Sequence, residues 1–273
     1  MNILLATVIL AIAILGILLL IRIRYDRQIE QIWRSLKSDS LDGVFTKEMV
    51  VDLDEPVRRY FLHAIAPETP LASYVELEMN GSFKLKPDAE WIPMQASQII
   101  STSGGFIWKA SIGQGRMKFS GADYYTQGKG RMKFSFWGLI PLVDAQNSNI
   151  DRSAAGRLGA EYIWLPSALL PQNGVTWQTL SHNTIQANFK IDRESITLTL
   201  TIDADGKIVE LSLPRWADET ESDWQYIPFG GKIEAEKTFS GYTVPTNIIA
   251  GYWFGTEKYR PFFQSCIEQA KFS

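Results

Sequence analysis

Hydrophobic spacing divides the chain into zones of different period. Residues 1–21 (MNILLATVILAIAILGILLLI) carry no charge. At about 1.5 Å of rise per residue, a helix of this length spans the ~30 Å hydrocarbon core of a bilayer. A buried core helix seldom stays apolar on every face for so long. A cleaved signal peptide needs a basic leading segment, a shorter apolar run and a small-residue cleavage site, and none is evident before Arg22. A retained transmembrane helix is therefore expected over residues 1–23. The spacing then becomes helical over residues 26–38, where Ile29, Ile32, Trp33 and Leu36 share one face. After a loop, Asp54-Glu55-Pro56 opens another helix, as acids and proline do at helix entries. Its apolar face is Val57, Tyr60, Phe61 and Ala64, and Arg58 and Arg59 fall on the solvated face. Residues 24–53 read as a juxtamembrane helix and linker, and residues 54–273 as a β-rich globular domain.

From Ser73 the period is two, with β-branched and aromatic residues between Gly and Asn punctuation. The pattern predicts strands at 73–84, 90–101, 105–112, 116–125 and 131–137, then at 176–180, 184–191, 194–202, 207–214, 232–240, 245–254 and 261–272. Asp203-Ala204-Asp205-Gly206 is a hairpin turn, with glycine supplying a positive φ. The fold class expected is mainly β with a few helices (α+β). Its core is a curved antiparallel sheet or half-barrel over helices, preceded by one N-terminal transmembrane helix.

One stretch interrupts the strands. The Ala- and Leu-rich run from Asp151 reads as an amphipathic helix with Asp151 at its N-cap, stopped by Pro166. Arg157 and Glu161, four apart, share one face, and Ala154, Leu158 and Tyr162 a neighbouring one. WLPSALLP (164–171) is the densest apolar and proline segment of the chain. Helix and segment together are expected to close over an apolar cavity, with Leu169 and Leu170 inward and Trp164 at the mouth. Trp91, Trp108, Trp137, Trp177 and Trp253 are further lining or rim candidates.

GRMKFS occurs twice, at 115–120 and 130–135. As strands, the copies put Met117, Phe119, Met132 and Phe134 on one face and Arg116, Lys118, Arg131 and Lys133 on the other. That describes either an anionic-headgroup or carboxylate surface behind an apolar cavity, or an ordinary half-exposed sheet. Strand alternation alone favours the latter.

Charge and motif content narrow the chemistry. The 273 residues carry a net charge of −3, without the basic face that nucleic acid requires. Cys266, read as a lone buried thiol, allows no intrachain disulfide, and His63 and His182 stand at unrelated positions, so no metal site and no cofactor are expected. No dinucleotide, Walker, HExxH or GxSxG motif occurs. Arg157 and Glu161 are the best polar candidates, yet an i,i+4 pair is more often structural than catalytic. Arg22, Arg24 and Arg27 follow the apolar run and no Lys or Arg precedes it. By the positive-inside rule this favours a single-pass inner (plasma) membrane protein with a cytoplasmic C-terminal domain.

The segments EPVRRYFLHAI, EWIPMQASQ, GLIPLVDA, RLGAEYIWLPSALLP, GVTW, DADGKI and VPTNI–GYW resemble an uncharacterised bacterial family, the domain of unknown function numbered 6544 or 6920. The resemblance runs from about Glu55 to the C-terminus and is most specific at Glu161, Trp164, Pro166, Leu169, Leu170 and Pro171. It departs at Ile227-Pro228-Phe229, where the family pattern has tryptophan in place of Phe229. The resemblance implies a fold similar to lipoprotein-carrier half-barrels of the LolA/LolB type, and no activity. Three functions remain open. The first is a membrane-anchored domain binding a lipid or hydrophobic small molecule through Trp164, Leu169, Leu170, Arg157, Glu161, Trp91, Trp108 and Trp137. The second is a structural or interaction module of the envelope with an unidentified protein partner. The third is a hydrolase using Glu161 and Arg157.

Overall fold

The computed structural model describes residues 2–37, 41–86, 88–218 and 223–273. Helix α1 (Asn2–Ser35) comes first. The two helices expected at 1–23 and 26–38 form one continuous rod, because no glycine or proline lies between Ile17 and Asp42 to interrupt it; Ser38 itself lies outside the described residues. The first half projects with Ile3, Leu10 and Ile12 exposed, and α1 is long and apolar enough to cross a membrane. The second half turns Ile29, Trp33 and Leu36 onto the back of the sheet, against Ile99, Ile107, Ala122 and Tyr124. Helix α2 (Glu55–Ala64) buries Val57, Tyr60, Phe61 and Ala64, as its spacing predicts. Arg58 and Arg59 are half-buried rather than solvated. Arg58 donates to the carbonyls of Val51 and Leu53, and Arg59 to that of His182.

The strands are β1 (Tyr74–Phe83), β2 (Ile92–Ser101), β3 (Gly105–Ile112), β4 (Phe119–Thr126), β5 (Lys129–Phe136), β6 (Ile140–Ala145), β7 (Thr176–Ser181), β8 (Thr184–Ile191), β9 (Glu194–Ile202), β10 (Ile208–Ala217), β11 (Gln225–Phe239), β12 (Tyr242–Tyr252) and β13 (Arg260–Phe272). Alternation drives them. In β9, Ile196, Leu198, Leu200 and Ile202 are buried, with half-buried threonines between them. Four expectations change. Residues 115–117 make a 3-10 turn, because Gly113 and Gly115 take positive φ and break the extended backbone; the first GRMKFS copy therefore enters a strand only at Phe119, and Met117 is exposed. Strand β6 was not expected, since four of its six side chains are exposed and carry no burial rhythm. Strand β11 starts at Gln225 rather than Lys232, its period masked by Pro228, Gly230 and Gly231. Cys266 is exposed on β13 rather than buried.

All strands pair antiparallel in the order β6-β5-β4-β3-β2-β1-β13-β12-β11-β10-β9-β8-β7. The first and last strands thus meet at the centre, and β6 and β7 are the edges. The chain between those edges contains α3 (Ser148–Glu161), which touches β4 and β5 on one flank and β8, β9 and β10 on the other. One helix reaches strands so far apart in the sheet only if the sheet curls around it. Helix α3 is accordingly enclosed rather than amphipathic, with Ala154, Ala155, Gly156, Leu158, Gly159 and Ala160 all buried. The small residues permit this approach: a Cβ on Gly130 of β5 would lie 2.8 Å from the Ile150 carbonyl oxygen. The N-cap is Asn147, whose side chain accepts from the Asn149 and Ile150 amides. Asp151, expected in that role, lies in the first turn and ties α3 to β5 through the Gly130 amide at 2.8 Å and the Lys129 ammonium at 3.0 Å.

Candidate ligand-binding site

Alternation divides each strand between the hollow and the back of the sheet. On β3, Phe106, Trp108, Ala110 and Ile112 face the hollow with α3, whereas Ile107 faces α1. Three regions occupy the hollow.

The first is solid. After α3 the chain makes 3-10 turns at Tyr162–Trp164, Pro166–Leu169 and Pro171–Asn173. Every residue from 158 to 170 is buried. Leu169 and Leu170 point inward, as expected. Trp164 is not at a mouth: it is 3% exposed, and its indole donates to the Pro245 carbonyl at 3.0 Å. The β11–β12 ladder slips between Asn247 and Pro245, which leaves that carbonyl for the indole; a buried tryptophan N–H needs such a partner. Ser167 donates to the Ala72 carbonyl at 2.6 Å, and Trp177 to that of Leu169 at 3.0 Å. WLPSALLP is packed core.

The second region is a polar knot where α3 meets β2, β3 and β4. Arg157 donates to Glu161 at 2.7 Å and to Asp123 at 2.6 Å, and Gln98 donates to Glu161 at 2.6 Å. The Arg157 guanidinium also stands 4.8 Å from the Phe106 ring centroid and 5.0 Å from that of Trp108. Burial raises the Glu161 carboxyl above the ordinary carboxylate range, against the pull of Arg157. Burial also works against the Arg157 charge, but Glu161 and Asp123 outweigh it and hold the guanidinium protonated. One cation between two carboxylates, all turned on one another, is a structural ion-pair arrangement.

The third region is an aromatic belt. Successive ring contacts run from Phe136 through Phe119, Phe134, Trp108, Phe83 and Phe262 to Tyr252 and Phe229, with centroids 5.3–6.4 Å apart. The belt crosses strands β5, β4, β3, β1, β13, β12 and β11. A register shift between Ala250 and Gly251 leaves Phe262 without a partner on β12, so this bulge turns both Phe262 and its neighbour Phe263 towards belt rings. Arg215 closes the β11 end, 5.0 Å from the Phe229 centroid. Phe83, Phe136, Phe262 and Phe263 are only half-buried, so this part of the hollow is open.

The rim beside the belt is apolar too. Leu36 of α1 lies against Gly105, and Arg22 donates to the Trp137 carbonyl at 3.2 Å. The projecting half of α1 therefore leaves the domain at the β5–β6 turn. At that end of β1–β6, Leu85, Met117, Trp137, Ile140 and Leu142 are exposed. Trp137 and Gly138 take φ of 50° and 70°, the pair of left-handed residues a type I′ hairpin needs. A Cβ on Gly138 would sit 2.6 Å from the Arg22 guanidinium, so a side chain there would have to displace that arginine.

The expected site residues thus separate. Trp108 is in the belt, Trp137 on the rim, and Trp91 beside Lys84 in the β1–β2 loop, 5.0 Å from its ammonium. Arg157 and Glu161 sit between belt and core. Trp164, Leu169 and Leu170 belong to the packed region, and Trp177 packs on Tyr60 and Phe61 of α2. Trp253 is half-buried just beyond β12. The sequence pattern put Phe119 and Phe134 on an apolar face, but the site candidates followed tryptophan and left out Phe83, Phe136, Phe229 and Phe262. Phe134 and Phe136, two apart on one strand, carried the signal, as did Phe229, which stands where the family pattern has tryptophan.

Among solved structures, the chain is similar to a LolA superfamily protein from Nitrosomonas europaea, at 10% identity and TM-score 0.44 over 80% of this chain and 92% of that one. It is similar to a putative outer membrane lipoprotein-sorting protein domain from Vibrio parahaemolyticus, at 9% identity and TM-score 0.42 over 83% and 92%. No curated protein matches. The family model matching residues 51–272 is that of a family of unknown function, and the chain belongs to that family, DUF6920.

Proposed function

We propose that this protein holds an apolar, lipid-like ligand on the aromatic belt and is tethered beside a bilayer by α1. The observation that carries this reading is the belt itself, a continuous run of rings in which Phe83, Phe136, Phe262 and Phe263 stay half-buried beside an exposed apolar rim, when the rest of the hollow is filled. Aromatic faces in a concave site supply large apolar contact at small entropic expense. Tryptophan on the rim suits the bilayer interface. The full-length chain in detergent micelles should bind a fluorescent fatty acid. Phe136→Asp and Phe262→Asp, at half-buried positions, should weaken that binding by about tenfold, the loss of one well-buried ring contact of ~1.5 kcal/mol. Wild-type protein that binds no apolar probe, or variants that bind as well as wild type, would sink the reading.

Retention of α1 has its own support. The helix that carries the apolar run is the one that buries Ile29, Trp33 and Leu36 on the sheet, so domain and apolar helix share one element. We place the C-terminal domain on the cytoplasmic side, from the arginines that follow the apolar run. The intact chain should stay in the membrane pellet after alkaline extraction, and a reporter active only when exported, fused after Ser273, should stay silent. Release by alkali refutes the anchor, and an active reporter refutes the side.

A further inference from the structure

A crevice lies outside the hollow. It measures about 440 Å³ and opens between α1, from Leu18 to Ile29, and the back of β1–β5. Strand register builds its floor as two rows of side chains. In one row Gln95, Ser111, Ser120 and Ser135 stand directly opposite one another on β2, β3, β4 and β5. In the next row stand Glu78, Ser97, Lys109, Ala122 and Lys133 on β1 to β5. Ala122 keeps the floor low between the two lysines. Leu18, Ile21 and Arg22 of α1 form the upper wall.

Two buried groups there lack partners. The Ser111 hydroxyl and the Tyr25 phenol are out of contact with solvent and make no hydrogen bond, although buried hydroxyls are nearly always satisfied. Lys109 makes no salt bridge among the described residues; its ammonium stands 4.1 Å from the Trp33 ring centroid. Lys133 is shared between Asp144 at 3.4 Å and the Tyr25 ring at 4.8 Å. Hydroxyls and ammonium groups converging on one space are donors in want of an acceptor. A phosphate ester supplies several strong acceptor oxygens at once. The apolar wall that continues into the projecting half of α1 supplies a path for acyl chains.

We infer that this crevice binds the phosphate of an anionic glycerophospholipid, held by Lys109, Lys133 and the serine row, with its acyl chains along Leu18 and Ile21. The site rests on the reading of α1 as a membrane helix, and is separate from the aromatic belt. Two carboxylates also line the crevice: Asp26 is paired with Arg22 at 3.6 Å, and Glu78, two strands from Lys109, feels that lysine's charge and is placed to accept from hydroxyls of a headgroup.

The test uses the full-length chain in mixed micelles of equal phosphatidylglycerol and phosphatidylcholine, with bound lipid read by native mass spectrometry. Wild type should retain phosphatidylglycerol preferentially. Lys109→Gln should lower that preference about fivefold, as removal of one basic contact of ~1 kcal/mol at an anionic surface does. Ser111→Ala should lower it less, and neither variant should alter fatty-acid probe binding or the melting temperature. Equal retention of the two lipids by wild type overturns the inference, as does an unchanged preference in Lys109→Gln. Displacement of the lipid by millimolar inorganic phosphate assigns the crevice to free phosphate and overturns the lipid assignment. Loss of membrane pelleting with the preference intact would refute the anchor and leave the crevice standing.

Discussion

Trp164→Ala should destabilise the domain by about 3–5 kcal/mol, the usual loss when a fully packed tryptophan is truncated in a core. The substitution removes the large ring and strands the Pro245 carbonyl, an acceptor left buried without a donor. The sequence alone points the other way, since a rim tryptophan would lose stability only slightly and ligand affinity strongly. Denaturant titration of the full-length chain decides between them. A midpoint shift of that size with probe binding retained by the folded fraction fits the packed position. An unchanged midpoint with weakened fatty-acid binding would put Trp164 back at a mouth. Leu170→Asp is a control with the same sign in both cases, because it buries an unpaired charge.

The polar knot predicts an asymmetry between its members. Arg157→Met leaves Asp123 and Glu161 facing each other without their cation, and should lower stability by about 3–5 kcal/mol near neutral pH. Glu161→Gln leaves one cation with one carboxylate, keeps the amide contact with Gln98, and should change stability by no more than ~1 kcal/mol. The pH dependence follows from the raised Glu161 carboxyl. A carboxyl whose folded-state pKa lies above its unfolded value favours the fold while protonated. Its contribution is present below the unfolded value and is lost as pH rises through the folded one. Without Arg157 that loss has no opposing charge. Arg157→Met should therefore be least impaired in mild acid and worsen toward neutrality, and the double variant with Glu161→Gln should recover much of the deficit. If Arg157→Met shows the same penalty at every pH, Glu161 does not titrate in the knot.

The elements legible in the sequence are those whose neighbours enforce a clean period. Strand β9 alternates isoleucine and leucine with threonine, and α2 opens on acids and proline before a regular apolar face. The losses come from tertiary context. Trp164 was misplaced because a tryptophan at a mouth and one in a core read alike in sequence; a ladder slip 81 residues further along the chain, at Pro245 of β12, supplies the carbonyl that decides it. The aromatic belt was hidden because its rings come from seven strands and one of them, Phe262, faces the hollow only through a bulge. Strand β6 has no buried face to impose a rhythm. Helix α3 looked amphipathic because Arg157 and Glu161 suggested a wet side, yet that side meets Asp123 and Gln98 inside a curled sheet. The crevice behind the sheet was half-visible in Lys133 of the second GRMKFS copy; Lys109 and the serine row joined it only through register.

The meeting of β1 with β13 at the centre of the sheet sets a timetable for synthesis. Strand β1 cannot find its second neighbour until about 190 further residues have been made, roughly 10–40 s at ordinary elongation rates. Through that interval β1–β6 can assemble as a local meander with its central edge unpaired, and an unpaired edge invites association with other chains. The order of elements limits the hazard, because α1 emerges first and its docking half covers the back of β2, β3 and β4 as soon as they form. Ribosome-bound chains ending before Arg260 should thus be the aggregation-prone species, and the final thirteen residues of strand act as the clasp that ends the exposure.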